Sequence, residues 1–263
     1  MQNRISHHES VRRMYERLKK DGMNTIWDRY EAQGLGDPDK RCPFCQGGVR
    51  CDLCSNGPCR SDAAKNKRGV CGITADGMAM RMMLLRNVMG ASTYHYHTEQ
   101  TLKTLRATAR GQTPFRIAEP DKLRTFAQRL GVDTSGSDAD VALRLCGFAE
   151  ADFNRKADEP SLIVEALAPK ERQDTWKKLD IFPGGFHGEI MRCTSSCLTN
   201  VDGYYVSLAL KAMRLGVAMA YQSQIINEYC QDVLFGIPRP HNMRVDLGVL
   251  DPDYVNVLPN GHE

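Results

Sequence analysis

At 263 residues the chain is long enough to bury a sizeable core as one large domain or two. Its 35 lysines and arginines against 32 acidic residues leave a formal net charge of +3, too mild a field for a nucleic-acid binder. No run approaches the ~18 apolar residues of a membrane span, and residues 1–20 are polar, without the apolar stretch of a signal peptide. A cytoplasmic location is therefore expected, where thiols stay reduced and a dense cysteine run binds metal more often than it forms disulfides.

Taken in chain order, residues 9–30 place Val11, Met14, Tyr15 and Leu18 at helical spacing, which predicts an amphipathic helix. Gly34, Gly36 and Pro38 then break the chain. A cysteine segment follows, with glycines at 47, 48, 57, 69 and 72 that suit a backbone wrapping closely around a bound group. Residues 60–68 carry a local positive bias, which suits either a solvated edge or a field compensating an anionic cluster. A second helix is expected to begin near Asp76, with Met78, Met82, Leu85 and Met89 on one face as adaptable core packing.

Residues 119–180 read as several short helices and polar loops, with Ser137-Asp138-Ala139-Asp140 and Glu159-Pro160-Ser161 as starts. A long helix is predicted over 204–234, with Val206, Leu210, Met213, Val217 and Tyr221 facing one way. Gly236, Pro238 and Pro240 mark a break, and residues 254–258 read as a strand that needs partners. A chain that ends just after such a strand is expected to be the front of something longer.

The cysteine segment is the most informative stretch. Cys42, Cys45, Cys51, Cys54, Cys59 and Cys71 are spaced C-x2-C-x5-C-x2-C-x4-C-x11-C. A [4Fe-4S] cube takes four thiolates, and Cys51, Cys54, Cys59 and Cys71 make one set. Their mixed spacings are unlike the paired knuckles of a zinc ribbon, so iron–sulfur is favoured over a single zinc. Cys42 and Cys45 are half of a further set. A second copy of the chain is the simplest way to complete it, as a [2Fe-2S] or [4Fe-4S] cluster on a two-fold axis.

The blocks Cys42-Pro-Phe-Cys45, Cys51-Asp-Leu-Cys54-Ser-Asn-Gly-Pro-Cys59-Arg60 and Gly69-Val-Cys71-Gly72 together resemble the front of nickel–iron carbon monoxide dehydrogenase. Gly-Pro-Cys-Arg and Cys-Gly-Ile-Thr-Ala-Asp are the most specific parts. The resemblance continues from Asp246-Leu-Gly-Val-Leu-Asp-Pro to Asn260-Gly-His-Glu263, while residues 110–180 add little. It implies a homodimer whose subunits have a helical N-terminal domain followed by Rossmann-like domains. The fold class expected is therefore mainly α: a helical iron–sulfur domain over 1–236, with its cluster segment at 41–72, and the start of a Rossmann-like α/β domain at 237–263.

By the same resemblance, Cys51, Cys54, Cys59 and Cys71 look like the ligands of the B cluster, a [4Fe-4S] electron carrier. Cys42 and Cys45 look like the D-cluster pair that two subunits share. Many members place the second D cysteine directly before the first B cysteine; here that place is Arg50, and the closer pair resembles the [2Fe-2S] variant. His262 resembles the histidine that binds the iron outside the cubane part of the nickel-containing C cluster. His95 matches a histidine that assists proton transfer, a task suited to a side chain with a pKa near working pH. Many relatives carry further histidines at one-turn spacing; Thr98 and Thr101 stand there in this chain, so that ladder is either broken or rerouted through His97.

The remaining cysteines read as packing. Cys193 and Cys197 share a helical face and are also spaced for a metal or a redox pair, and Cys146 and Cys230 sit in apolar contexts. The resemblance implies interconversion of CO and water with CO2, two protons and two electrons. A ferredoxin-like carrier is the expected electron partner, and an acetyl-CoA synthase subunit is a candidate one. The other C-cluster cysteines come after the histidine in this family, so residues 1–263 alone are expected to be inactive. The alternatives are a hybrid-cluster hydroxylamine reductase relative, and a non-catalytic iron–sulfur or zinc module for electron transfer or interaction.

Overall fold

A computed structural model describes residues 6–33, 49–62, 65–198 and 201–237. Cys42, Cys45, His262, the breaks at 34–38 and 238–240 and the strand expected at 254–258 lie outside the described residues. Residues 6–33 belong to one compact unit and residues 49–237 to a second.

In the first unit the single helix expected over 9–30 is two: α1 (Glu9–Lys20) and α2 (Ile26–Ala32). Val11, Met14, Tyr15 and Leu18 do share the half-buried side of α1. The break comes from Thr25, whose hydroxyl accepts from the Asp28 backbone while the Asp28 carboxylate accepts from the Thr25 N–H. This capping box starts a new helix where hydrophobic spacing alone would continue the old one.

The second unit is helical apart from strands β1 (Arg50–Cys51) and β2 (Cys59–Arg60). Its axis is α3 (Ala75–Ala109), 35 residues long, capped by Thr74. The buried side of α3 is Met78, Arg81, Leu84, Val88, Ala91, His95, Thr98, Leu102 and Leu105, a 3-4 repeat that faces one way on a helix of 3.6 residues per turn. The expected methionine face is rotated from this: Met78 is fully buried but Met89 is 61% exposed. Five buried polar residues on this helix (Arg81, His95, Thr98, Thr101 and Thr108) hide the true stripe from hydrophobic spacing.

Four short helices follow: α4 (Pro120–Arg129), α5 (Asp138–Phe153), α6 (Leu162–Leu167) and α7 (Lys170–Lys178). Ser137 and Ser161 cap α5 and α6 as expected. Helix α8 (Phe186–Ser196) leads to α9 (Tyr205–Ala218), a π-helical stretch over Met219–Ile225, and α10 (Ile226–Phe235), which ends at Gly236. These last three form the long helix expected at 204–234, but its buried side is Leu208, Leu215, Ala218, Ile226, Cys230 and Val233, whereas Met213 is 54% exposed. The main core gathers Leu102, Leu105, Phe126, Leu145, Phe153 and Phe186 around α3. Cys146 and Cys230 are fully buried in it, as expected. No described helix is long and apolar enough to cross a membrane.

One ion pair is sealed inside this unit. Glu189 Oε1 accepts from Arg214 Nε at 2.7 Å and from the Gly184 N–H at 2.8 Å, and both side chains are buried. Glu189→Ala would leave the guanidinium only the exposed Asp180 carboxylate and the Ala157 carbonyl, at a cost of about 3 kcal/mol. A urea titration is expected to show that loss, with most of it recovered in Glu189→Ala/Arg214→Met. A single variant within about 1 kcal/mol of the parent would contradict the assignment.

Candidate functional site

The cysteine segment folds into a hairpin and a return loop. Strands β1 and β2 pair antiparallel with Cys51 directly opposite Cys59, which brings their α-carbons to about 5 Å. Cys54 sits in the connecting turn, its carbonyl accepting from the Gly57 N–H at 3.1 Å. A Cβ on Gly57 would meet Cys51 O and Cys59 N at 3.3 Å and Cys54 O at 3.4 Å. The backbone thus closes on three cysteines at once, and a side chain would force it open. Ser61 N–H to Val49 O, at 3.0 Å, ties off the hairpin.

The chain then returns with Cys71. Gly72 N–H donates to Gly69 O at 2.8 Å and Gly69 N–H to Ile73 O at 2.9 Å, a turn that needs Gly72 at φ 86°. Cys51, Cys59 and Cys71 share one apolar patch with Val49, Leu53, Ile73 and Met78. Met78 belongs to α3, so the first turns of that helix floor the loop. Cys51 is buried while Cys54, Cys59 and Cys71 are half-buried. Lys65, Lys67 and Arg68 are exposed, which fits the solvated-edge reading of that positive stretch. Four soft thiolates on one tight loop are a donor set for an iron–sulfur cluster or zinc and a poor one for magnesium or calcium.

Elsewhere, Cys193 and Cys197 lie on one face of α8 and its C-cap, buried. Their sulfurs are 3.8 Å from the carbonyls of Lys211 and Arg81. Burial pushes the Cys193 thiol up to about 12 and raises that of Cys197, so both stay protonated and pack.

His95 is the second focus. It is 4% exposed, its ring stacked on Phe186 with centroids 3.9 Å apart and edged by Phe153 and His187. Nδ1 lies 2.7 Å from Ser223 Oγ. Nε2 is buried with no hydrogen-bond partner among the described residues, 4.0 Å from Glu99 Oε1. Burial, then the His187 charge, lowers its pKa to about 3. His97 lies on another row: Gln231 donates to its Nε2 at 3.0 Å, and Thr101 donates to Asn227 Oδ1 at 2.6 Å one turn away. The threonine at 98 donates to the Ser223 carbonyl.

Sequence reasoning missed Glu99, His187 and Ser223. Glu99 was findable, being four residues and one turn on from His95; His187 and Ser223 come from distant segments with no spacing to mark them.

A family model described as the Prismane/CO dehydrogenase family matches residues 49–263, starting at the residue that leads into β1. The chain belongs to this family. Carbon monoxide dehydrogenase 2 of Methanosarcina acetivorans is 77% identical over 261 residues, covering 99% of this chain and 41% of that protein. The carbon monoxide dehydrogenase of Archaeoglobus fulgidus is 44% identical, covering 100% of this chain and 41% of its own length. Among solved structures, a nickel-free carbon monoxide dehydrogenase from Thermococcus sp. AM4 superposes with a TM-score of 0.85 at 31% identity, over 97% of this chain and 40% of that one. This Prismane/CO dehydrogenase chain therefore spans about two-fifths of the relatives it matches.

The His95 environment has a pH signature. Its pKa of about 3 in the fold lies below the ordinary 6.5, so between those values the unfolded chain binds the extra proton. Stability is full above about pH 6.5 and falls as pH drops toward 3. An NMR titration is expected to keep the His95 ring neutral down to pH 5; an ordinary midpoint near 6.5 would contradict the packing described.

Proposed function

We propose that this chain is the N-terminal part of a nickel–iron carbon monoxide dehydrogenase, interconverting CO and water with CO2, two protons and two electrons. The observation that carries this reading is 77% identity to a carbon monoxide dehydrogenase across 99% of the chain. The relatives reported above carry that activity in their names, which favours it over a hydroxylamine reductase. In this reading residues 1–236 are a helical cluster domain, residues 237–263 open a Rossmann-like domain, and the whole works in the cytoplasm.

Cys51, Cys54, Cys59 and Cys71 hold a [4Fe-4S] cluster that passes electrons. The fit rests on the paired register of Cys51 and Cys59, the Gly57 closure and the apolar floor from Met78 and Ile73, because burial and backbone groups near the sulfurs tune such a cluster. Cys42 and Cys45 offer two thiolates, which a second copy of the chain completes as a shared [2Fe-2S] or [4Fe-4S] cluster, making a homodimer. Electrons leave to a ferredoxin-like carrier. One structurally similar protein, with a TM-score of 0.80, is an acetyl-CoA synthase/carbon monoxide dehydrogenase, which supports an acetyl-CoA synthase subunit as a further partner.

His262 supplies one imidazole to the nickel–iron–sulfur group. When bound, that group supplies Lewis acidity and the redox change. His95 handles the proton: Phe186 and Ser223 fix its ring, and burial keeps it neutral with a lone pair to offer.

Anaerobically purified chain is expected to carry iron and acid-labile sulfide in equal amounts, and Cys59→Ser to lose about four irons per chain. Zinc without sulfide would overturn the reading. CO oxidation is expected to need sequence beyond residue 263; nickel-dependent turnover by residues 1–263 alone would contradict this division of labour.

A further inference from the structure

Helices α3 and α8 bring together three donors that belong to neither cysteine set. His95 Nε2, a carboxylate oxygen of Glu99 and a ring nitrogen of His187 all lie within 4.8 Å of one another. Glu99 Oε1 is the hub, 3.1 Å from His187 Nε2 and 4.0 Å from His95 Nε2.

The hydrogen bond to Asn154 decides where the lone pair of His187 lies. Asn154 Nδ2 donates to the Glu150 carbonyl at 2.8 Å, which turns its amide oxygen toward His187. That oxygen can only accept, so His187 Nδ1, 3.1 Å away, carries the ring proton. In the neutral ring, Nε2 then presents a lone pair to a carboxylate oxygen at 3.1 Å. Two acceptors face each other at hydrogen-bond distance, and a positive charge must lie between them.

A proton on His187 would satisfy that pair but leave the third donor out. His95 Nε2 is buried, has no hydrogen-bond partner among the described residues and borders the same spot, and a buried unpaired nitrogen is costly. A cation satisfies all three. The surroundings match those of bound histidines, which usually engage the other ring nitrogen with an oxygen. Here Ser223 does so for His95 and Asn154 for His187. Tetrahedral zinc with two imidazoles and a carboxylate has donor–donor edges of about 3.3 Å. The half-exposed Glu99 and His187 side chains can close the longer edge, and they leave a path from solvent.

We propose that His95 Nε2, Glu99 and His187 Nε2 form a binding site for one borderline divalent cation of the zinc class. The site is separate from both cysteine sets. With Nδ1–H donating to Ser223 Oγ, a cation there takes the Nε2 lone pair of His95, so zinc binding and proton acceptance at that nitrogen exclude each other.

The test uses cluster-loaded protein, so that the cysteines do not compete for zinc. Crystals soaked in zinc chloride are expected to show a zinc-edge anomalous peak about 2.0–2.2 Å from the three donors. Calorimetry is expected to give one site whose affinity falls at least tenfold in both His187→Ala and Glu99→Gln, with circular dichroism unchanged. No peak among the three donors would overturn the proposal. So would a peak or an affinity that survives His187→Ala.

Discussion

The burial of one side of α3 is the constraint on which the second unit depends. Met78, at its first turns, sits fully buried under the cysteine loop, and Leu84, Leu102 and Leu105 are equally buried along its length. Helices α5, α8, α9 and α10 pack around this stripe through Leu145, Phe186, Leu215 and Val233. His95 rides on the same stripe, 17 positions beyond Met78, about 25 Å along a helix rising 1.5 Å per residue. A single rigid element therefore sets the spacing between the thiolate loop and the buried imidazole.

The stripe is not purely apolar, and its polar members are matched by a local change of helix geometry. Across Met219–Ile225 the chain is π-helical, between two α-helical runs. The wider turn lets the consecutive residues Gln222 and Ser223 both be fully buried. Gln222 donates to Asp152, which also accepts from Ser161 and from the Leu162 N–H, while Ser223 meets His95. Single π-turns of this kind are frequent at functional sites. Here the turn supplies the hydrogen bond that orients the imidazole.

The spacing of cysteines and glycines made the tight loop legible, because a backbone that doubles back so closely needs glycine at Gly57 and Gly72. Cap chemistry made Ser137 and Ser161 legible as helix starts. Hydrophobic spacing did less well: it continued α1 through Thr25 and turned α3 toward Met89. The causes differ: the capping box of Thr25 and Asp28 starts a new helix that apolar spacing does not register, and a buried face carrying Arg81, His95, Thr98 and Thr101 does not look apolar in sequence. The His95 surroundings were legible only as far as the helix reaches. Ser223 and His187 arrive by tertiary packing, 128 and 92 positions away, and no local pattern announces them.

The proposed electron-transfer role depends on what Cys51, Cys54, Cys59 and Cys71 hold. Anomalous diffraction at the iron edge, from crystals grown without oxygen, tests it most directly. Iron density enclosed by those four sulfurs, over the floor made by Met78 and Ile73, is the expected result. A zinc-edge signal there with no iron, or four thiols with no metal between them in sulfide-containing protein, would contradict it.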